Sequence, residues 1–457
     1  MPLDRKLIKT TTVLVGTVLL TMGLILASAM GSMMLASGRG GPALANGRHA
    51  SPSTAVAKPA TPARLAASAS RHLLNGVFCN SPADCWAVGD HAAANGGRLN
   101  QVLHWNGSKW RPVTVPSQAG TGSGDISELL AVRCTSAVDC WAVGDSQAAG
   151  STAPELDQAL HWDGKRWLLA KTPAVAQALG RFTDPGQIED TLTDLSCPAA
   201  DSCWAVGSAG GPVSGGAVLV NQVLHWDGKT WSVAPSMPDP AGHAPGDDNF
   251  LATIACTSAG NCWAAGEYGS ASGGDFSAHN EMLHWSQGKW VSVPAPNPGG
   301  AAAGDTNAIQ SLSCPSASDC WAAGSYGGPG GAAWLDELLH WDGTKWSQVS
   351  VPNPAGAGHG KTNVLNGVAC SSSTDCWAVG DLGDNPRRGQ ALHWDGSAWS
   401  RVSMPEPGGH GRADLTELDA VRCTGPANCM AVGLTRRGSV PSSDLILHWT
   451  GSKWFAS

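Results

Sequence analysis

The chain has 457 residues, with 58 Gly, 29 Pro, 21 Trp and 14 Cys but only 2 Tyr and 5 Phe. Charged residues make up 14% and the net charge is −8, which excludes a protein that binds nucleic acid through a basic surface. Abundant Gly with few Leu and Lys argues against a helical fold. So many Trp residues beside so few Tyr and Phe indicate that one Trp-containing unit is repeated.

The first 45 residues have the character of an export signal. Three basic residues within the first nine positions precede an uncharged, largely apolar stretch over 10–38. A basic start before an apolar run directs the rest of a chain outward. Ala27-Ser28-Ala29 and Ala43-Leu44-Ala45 both have the form of a cleavage site, whereas the length of the run would also suit a membrane anchor. We therefore predict an N-terminal apolar helix over 1–45, acting as a signal peptide or signal anchor, and an extracellular body, secreted or tethered to the membrane by this segment.

Residues 46–72 are rich in Ala, Pro, Ser and Thr, a composition that predicts a disordered linker. From 73 to 457 the chain consists of seven copies of one unit, spaced 53 to 63 residues apart. Every unit has a C-x5-C pair, which continues as Cys-Trp-Ala-(Val/Ala)-Gly in six units and has Met430 in place of the Trp in the seventh. A Leu-His-Trp follows in each unit, and another Trp lies six residues after that His.

Each unit predicts four short strands. They are Leu-x-x-Val-x-Cys, Cys-Trp-Ala-Val-Gly, the segment ending in Leu-His-Trp, and Trp-x-x-Val-x-x-Pro. An Asp-Gly turn, as at Asp227-Gly228, joins the third strand to the fourth in several units and is a strong hairpin signal. The sequence therefore predicts an all-β fold over 73–457, a seven-bladed β-propeller of four-stranded antiparallel blades.

The strand ending in Gly and the later Trp-Asp-Gly-x-x-Trp-x-x-Val-x-x-Pro resemble the repeats of kelch and galactose-oxidase-type propellers. They are also similar to the Asp-box propellers of sialidases and of the photosystem assembly factor. The resemblance covers 73–457. It implies the propeller architecture and carries no particular chemistry with it.

All 14 cysteines belong to the C-x5-C pairs. A four-cysteine zinc site would require two pairs to converge, whereas one pair per blade spreads them around a ring. An even count in an exported chain favours disulfides. We therefore predict one disulfide in each blade: Cys79–Cys85, Cys134–Cys140, Cys197–Cys203, Cys256–Cys262, Cys314–Cys320, Cys370–Cys376 and Cys423–Cys429.

Two further sets of polar residues recur. The histidine of Leu-His-Trp is expected to be buried and bonded to the neighbouring blade, with a pH-sensing role as the alternative. Polar residues that enter the first strand, such as Asn249, Asn307 and Asn363, would either cap the preceding loop, which we favour, or coordinate calcium. We predict no metal and no cofactor.

Connection lengths separate the two faces of the ring. The first-to-second and third-to-fourth connections have the same length in every unit, and they share the face that we call the invariant face. The remaining two connections vary in length and share the opposite, variable face, where function is expected. Trp334 is the one Trp that matches no repeated position. Aromatic and Arg side chains suit sugars or a protein partner, and the candidate ligand residues in these loops are Tyr268, Phe276, Tyr326, Trp334, Arg387, Arg388, Arg436 and Arg437.

The sequence gives little support for catalysis, and we assign no catalytic residue. Galactose-oxidase chemistry needs a free cysteine, a sialidase site needs three arginines, and neither is present as a pattern. Paired carboxylates brought together by separate loops remain open. We predict an exported, monomeric, non-catalytic binding propeller for a polysaccharide or a cell-surface protein. The alternative is a secreted carbohydrate-active enzyme of the glycosidase or lyase type, with its site at the axial mouth.

Ring closure is the last sequence-based expectation. The chain ends soon after Trp454, whereas the last strand of every other unit continues to a Pro. We therefore expect the seventh blade to be the least regular, with a short outer strand patched by 63–70.

Overall fold

A computed structural model describes residues 72–150, 153–270, 276–329, 332–383 and 386–457. These residues form 28 strands, four per repeat, and each group of four is an antiparallel blade in chain order. We call the four strands a, b, c and d from the channel outward. The predicted signal segment lies outside the described residues, as does the linker up to residue 71, and both stay predictions.

The strands of the first four blades follow in chain order. Blade 1 has β1 (His72–Ser81), β2 (Asp84–Ala92), β3 (Arg98–Trp105) and β4 (Trp110–Pro112). Blade 2 has β5 (Ile126–Ser136), β6 (Asp139–Gln147), β7 (Glu155–Trp162) and β8 (Trp167–Ala170). Blade 3 has β9 (Glu189–Ala199), β10 (Ser202–Val213), β11 (Gly216–Trp226) and β12 (Trp231–Val233). Blade 4 has β13 (Asp247–Ser258), β14 (Asn261–Ser270), β15 (Ser277–Ser286) and β16 (Lys289–Ser292).

The last three blades repeat the pattern. Blade 5 has β17 (Thr306–Ser316), β18 (Asp319–Gly327), β19 (Leu335–Trp341) and β20 (Trp346–Gln348). Blade 6 has β21 (Asn363–Ser372), β22 (Asp375–Leu382), β23 (Arg388–Trp394) and β24 (Trp399–Arg401). Blade 7 has β25 (Leu415–Gly425), β26 (Asn428–Arg436), β27 (Ser443–Trp449) and β28 (Trp454–Ala456). A short helix, α1 (Val175–Leu179), and a 3₁₀ turn (Pro185–Gln187) lie between blades 2 and 3. Among the described residues, no helix has the length and apolar character of a membrane span.

All seven predicted disulfides are present, each closing the hairpin between strands a and b at the invariant face. In blade 4, for example, Cys256 and Cys262 are directly opposite each other in the register, with their Cα atoms 4.0 Å apart. The spacing of five residues fits this tight hairpin, which explains why it is the same in every unit.

The repeated Trp of strand b forms the core between blades. Trp263 stacks on His284 of its own blade at a centroid distance of 4.3 Å, and it also contacts Trp341 (4.7 Å) and Trp346 (5.2 Å) of blade 5. Met430 takes the place of this Trp in blade 7 and belongs to one apolar cluster with Trp105 and Trp110 of blade 1.

The repeated histidine bonds within its own blade. His284 Nε2 lies 2.6 Å from Asn261 Oδ1, at the start of the adjacent strand b. The same contact joins His104 to Asp84 at 2.7 Å. The expectation of a bond to the neighbouring blade is therefore wrong, because His and the first residue of strand b meet at the same end of the sheet.

A belt of buried polar pairs joins successive blades. The residue four positions before each repeated His bonds to the residue three positions before the His of the next blade. One side is Asn or Asp, the other is Gln or Glu, and no pair combines two acids. The pairs are Asn100–Gln158, Asp157–Gln222, Asn221–Glu281, Asn280–Glu337, Asp336–Gln390 and Asp444–Gln101.

Blades 6 and 7 depart from this belt. Gly389 and Leu445 occupy the two positions. The methyl carbon of Met404 lies 2.6 Å from the place that a Cβ on Gly389 would take. Both positions therefore lack a polar side chain, so neither leaves an unpaired polar group in the other blade.

The ring closes between blade 7 and blade 1 through the same kind of bond. Gln101 Nε2 donates to Asp444 Oδ2 at 2.6 Å, and the His72 amide donates to the Ser442 carbonyl at 3.2 Å. The seventh blade has four strands, and β28 has three residues, as β4 does. The expectation of an irregular seventh blade is wrong, and residues 63–70 lie outside the described residues.

Candidate functional site

The strand order places the b–c and d–a connections together at the variable face, as predicted. Asparagines at the start of strand a hold the d–a loops. Asn249 Oδ1 accepts the Ala241 amide at 2.9 Å, and Asn307 Oδ1 accepts the Gly299 amide at 2.7 Å. Asn363 Oδ1 accepts the Ala355 amide at 2.8 Å. These side chains therefore act as loop caps, the interpretation that we favoured over calcium ligands.

The eight predicted ligand residues are spread over four consecutive blades. They lie in or beside the b–c hairpins, two to a blade: Tyr268 and Phe276 in blade 4, Tyr326 and Trp334 in blade 5, Arg387 and Arg388 in blade 6, and Arg436 and Arg437 in blade 7. They do not form one cluster.

The aromatic members cover glycines and neighbouring rings. The Phe276 ring lies against Gly269, where a Cβ would come within 2.7 Å of it. The half-buried Trp334 ring lies against Gly327 in the same way, since a Cβ there would be 3.3 Å from the ring. Small residues in strand b therefore make room for the loop aromatics.

Arg387 holds two blades together. Its Nε lies 2.9 Å from Asp381 Oδ2 and its Nη1 lies 3.2 Å from Glu417 Oε2 of blade 7. The side chain is only 14% exposed. Its prediction as an exposed ligand contact is corrected, because both carboxylates already bind the guanidinium.

A repeated contact seals strand c against the d–a loop in three blades. Asn100 donates its Nδ2 to the Pro116 carbonyl, and Asn221 and Asn280 make the same bond to Pro238 and Pro296, each at 2.8 Å.

Blades 2 and 5 have an aspartate at this position, Asp157 and Asp336. An ionised carboxylate has no hydrogen to donate, and in both blades a cavity lies between strand c and the loop.

The blade-5 cavity has a volume of about 390 Å³. It combines an aromatic phenol, two side-chain amides and a buried carboxyl. Its lining is Tyr326, Asp336, Gln348, Val349, Ser350, Val351 and Asn353. Of the predicted ligand residues, Tyr326 lines this cavity, whereas the Trp334 ring lies against Gly327.

Asp336 is the most constrained group of the cavity. It is 2% exposed, and its Oδ1 accepts Gln390 Nε2 at 2.8 Å. Its Oδ2 is buried and has no hydrogen-bond partner among the described residues. Burial raises the pKa of this carboxyl well above its ordinary value. The cavity lining therefore includes a carboxyl group that has one buried oxygen without a hydrogen-bond partner in the described part of the chain.

The blade-2 cavity is smaller, about 200 Å³, and has no aromatic side chain in its lining. Asp157 and Asp190 both line it, and each has one carboxyl oxygen without a hydrogen-bond partner among the described residues. Burial raises the pKa of Asp190 to about 6. Lys171 also lines this cavity.

Sequence reasoning singled out Tyr326 among the residues that line this cavity and did not single out Asp336, Gln348 and Asn353. A signal was available, since the position four residues before the repeated His is Asn in three units and Asp in three others. Its meaning depends on the Pro carbonyl across the loop, which the repeat pattern does not reveal.

Comparisons with known proteins bear on the fold. No family model matches the chain, and no curated protein matches it in sequence. Among solved structures, it is similar to an ulvan lyase of polysaccharide lyase family PL25, with a TM-score of 0.51 and 8% identity over 83% of this chain and 92% of that chain. The propeller domain of the trilobed protease from Pyrococcus furiosus aligns at a TM-score of 0.44 and 8% identity, over 84% and 96%. The six-bladed fucose lectin of Aleuria aurantia aligns at 0.38 and 13%, over 85% and 95%.

The chain is a β-propeller. Its blades are the seven four-stranded repeats described above, each with its own disulfide. At these identities the likeness concerns the fold alone. Membership of the kelch or Asp-box families stays a prediction.

Proposed function

We propose that this propeller is an extracellular, monomeric, non-catalytic binding protein that recognises a polysaccharide at the blade-5 cavity. The observation that carries the proposal is the cavity itself, whose lining combines Asp336, with its unpartnered Oδ2, Tyr326 and two side-chain amides. Seven disulfides support the extracellular location, since such bonds persist in oxidising compartments.

The chemistry of the lining matches a sugar. Ligand sites have volumes of roughly 300–1,000 Å³, and this cavity lies within that range, with Tyr326 and two valines beside four polar side chains. The face of the Tyr326 ring suits the apolar face of a sugar, and Trp334, two residues before Asp336 in the chain, is the second aromatic candidate. A buried acceptor without a partner is costly, so a sugar hydroxyl that donates to Asp336 Oδ2 would relieve that cost. Gln348 and Asn353 supply further polar contacts.

The test is a glycan array with a polysaccharide pull-down, comparing the wild-type chain with Trp334→Ala. Phe455→Ala is the matched control, because Phe455 is a 41% exposed aromatic on the outer strand of blade 7. We expect the Trp334 variant to lose about tenfold in affinity, a typical cost for an aromatic anchor, and the control to bind normally. Equal binding by all three proteins would contradict the site. Failure of the wild type to bind any glycan would contradict the polysaccharide ligand and favour a surface protein, to be sought by crosslinking on cells.

A second candidate, a carbohydrate-active enzyme, has one observation in its favour. Asp248 and Glu267 lie on adjacent strands of blade 4, and each has a buried carboxyl oxygen without a partner among the described residues. Burial raises the pKa of Asp248 to about 7 and that of Glu267 to about 8. A carboxyl that stays protonated near neutral pH is what a general acid for glycoside cleavage requires.

Product release separates the two candidates. Each polysaccharide that binds is incubated with the wild-type chain and with Glu267→Gln, and new reducing ends and unsaturated sugars are measured. Release that disappears in the variant would establish the enzyme. No release from any bound polysaccharide would reject it in favour of binding alone.

A further inference from the structure

The central channel carries a second feature, independent of the blade-5 cavity. Strand a of every blade contributes to its wall, and the enclosed space measures about 360 Å³. The residues just before the first cysteine of each repeat form a ring near the invariant face. In blade order they are Phe78, Arg133, Ser196, Ala255, Ser313, Ala369 and Arg422.

Two arginines of this ring flank one aromatic side chain. The guanidinium carbon of Arg422 is 4.6 Å from the centroid of the Phe78 ring, and that of Arg133 is 5.9 Å from it. The three residues belong to blades 7, 1 and 2, which are neighbours around the ring. One side of the channel is therefore cationic, and the opposite side carries small and hydroxyl side chains.

Only one of the two charges has a counterion among the described residues. Arg133 Nη2 lies 3.1 Å from Asp194 Oδ1. The Nε of Arg422 is buried and has no hydrogen-bond partner among the described residues. Burial, and then the nearby charge of Arg133, lowers the pKa of Arg422 to about 10. Arg422 is therefore still a cation at neutral pH, and the positive charge of Arg133 repels it.

Asp419, three residues earlier on strand a, also lines the channel but does not neutralise Arg422. No ion pair joins the two side chains, and one Asp419 carboxyl oxygen is itself without a partner among the described residues. Burial, together with Glu417 and Asp381, raises the pKa of Asp419 well above its ordinary value.

We infer that the channel binds a small oxyanion at the Arg422 guanidinium, with the hydroxyls of Ser196 and Ser313 in the same channel wall as its further partners. A buried cation without a partner is unfavourable, and the planar guanidinium fork matches the oxygens of sulfate, phosphate or carboxylate. The two serine oxygens accept the amides of Cys256 and Cys370, at 3.1 and 3.0 Å. Each hydroxyl hydrogen thus remains available for an anion. The anion is either a free ion or an acidic group carried by a sugar chain.

The experiment is a sulfate titration of the wild-type chain by calorimetry, with sodium chloride of equal ionic strength as the reference. Arg422→Gln is compared with Arg401→Gln, which removes an exposed arginine from β24. We expect sulfate to bind the wild type and the Arg401 variant, and the Arg422 variant to bind about tenfold more weakly or not at all. Equal sulfate binding by both variants, or none by the wild type, would overturn the inference.

Two further arms keep the test decisive. Ser313→Ala preserves both charges and should weaken sulfate binding by about fivefold, with urea unfolding as the check on the lost Cys370 amide contact. Unchanged binding would contradict a role for Ser313 in the site. A sulfated oligosaccharide that binds more tightly than inorganic sulfate would assign the site to an acidic polymer, and weaker binding would assign it to a free ion. Trp334→Ala should leave sulfate binding unchanged, so failure of the polysaccharide site and failure of the channel site are distinguishable.

Discussion

The substitution Glu267→Gln should flatten the dependence of the propeller's stability on pH. Glu267 lies opposite Phe250 in the register of blade 4 and is 8% exposed. Burial, and then the charge of Asp248, raises the pKa of Glu267 from 4.5 to about 8. Above pH 4.5 the folded chain therefore keeps a proton that the unfolded chain loses. The contribution of this group to stability is complete below pH 4.5 and disappears as the pH rises through 8.

The size of the effect follows from the linkage between proton binding and folding. Each pH unit within this window changes the free energy of unfolding by about 1.4 kcal/mol per proton. Glu267 alone should therefore cost the wild type about 2.5 kcal/mol between pH 6 and 8. Other buried carboxyls with raised pKa values, such as Glu281 and Glu337, act in the same direction. The difference between wild type and variant isolates the Glu267 share.

The assay is urea unfolding followed by Trp fluorescence at pH 6, 7 and 8. The wild type should lose more stability over this range than Glu267→Gln, by about 2.5 kcal/mol. Asp201→Asn, which changes an exposed carboxylate, should behave as the wild type does. Identical pH profiles for the wild type and the Glu267 variant would refute the argument that burial keeps this carboxyl protonated.

Three further substitutions probe the architecture, each by urea unfolding at pH 7. Trp263→Met copies the seventh repeat but loses three ring contacts, and it should destabilise the chain by about 2 kcal/mol; no loss would show that the stacking is dispensable. Gln101→Leu leaves Asp444 without its donor at the ring closure and should cost about 2 kcal/mol. Removing the Cys256–Cys262 disulfide as a double Ser variant should cost about 2 kcal/mol, and a stability equal to the wild type would contradict its role as a staple.

The sequence predicted those features that each repeat determines within itself. The cysteine spacing, the Leu-His-Trp strand and the Asp-Gly turn are local, so strand order, disulfides and the two faces followed from them. Trp334 stood out because it breaks the template, and the structure places its ring against Gly327.

The repeat pattern did not predict the contacts that connect one blade to the next. Asn280 and Glu337 are 57 residues apart and meet only when two blades pack. The role of Asp336 likewise depends on a carbonyl across a loop. The partner of His284 was predicted in the neighbouring blade. Its actual partner, Asn261, was missed because that position varies among Asp, Asn and Ser along the repeats.

The most direct test of the central claim is the affinity of Asp336→Asn for the polysaccharide that the wild type binds. The new side chain keeps an acceptor for Gln390, as in the Asn100–Gln158 pair, and gains a donor like the one that bonds a Pro carbonyl in blades 1, 3 and 4. Asp157→Asn in blade 2 is the control. We predict that the Asp336 variant loses at least about tenfold in affinity at unchanged or higher stability, while the control binds normally. An unchanged affinity in the Asp336 variant would contradict the account.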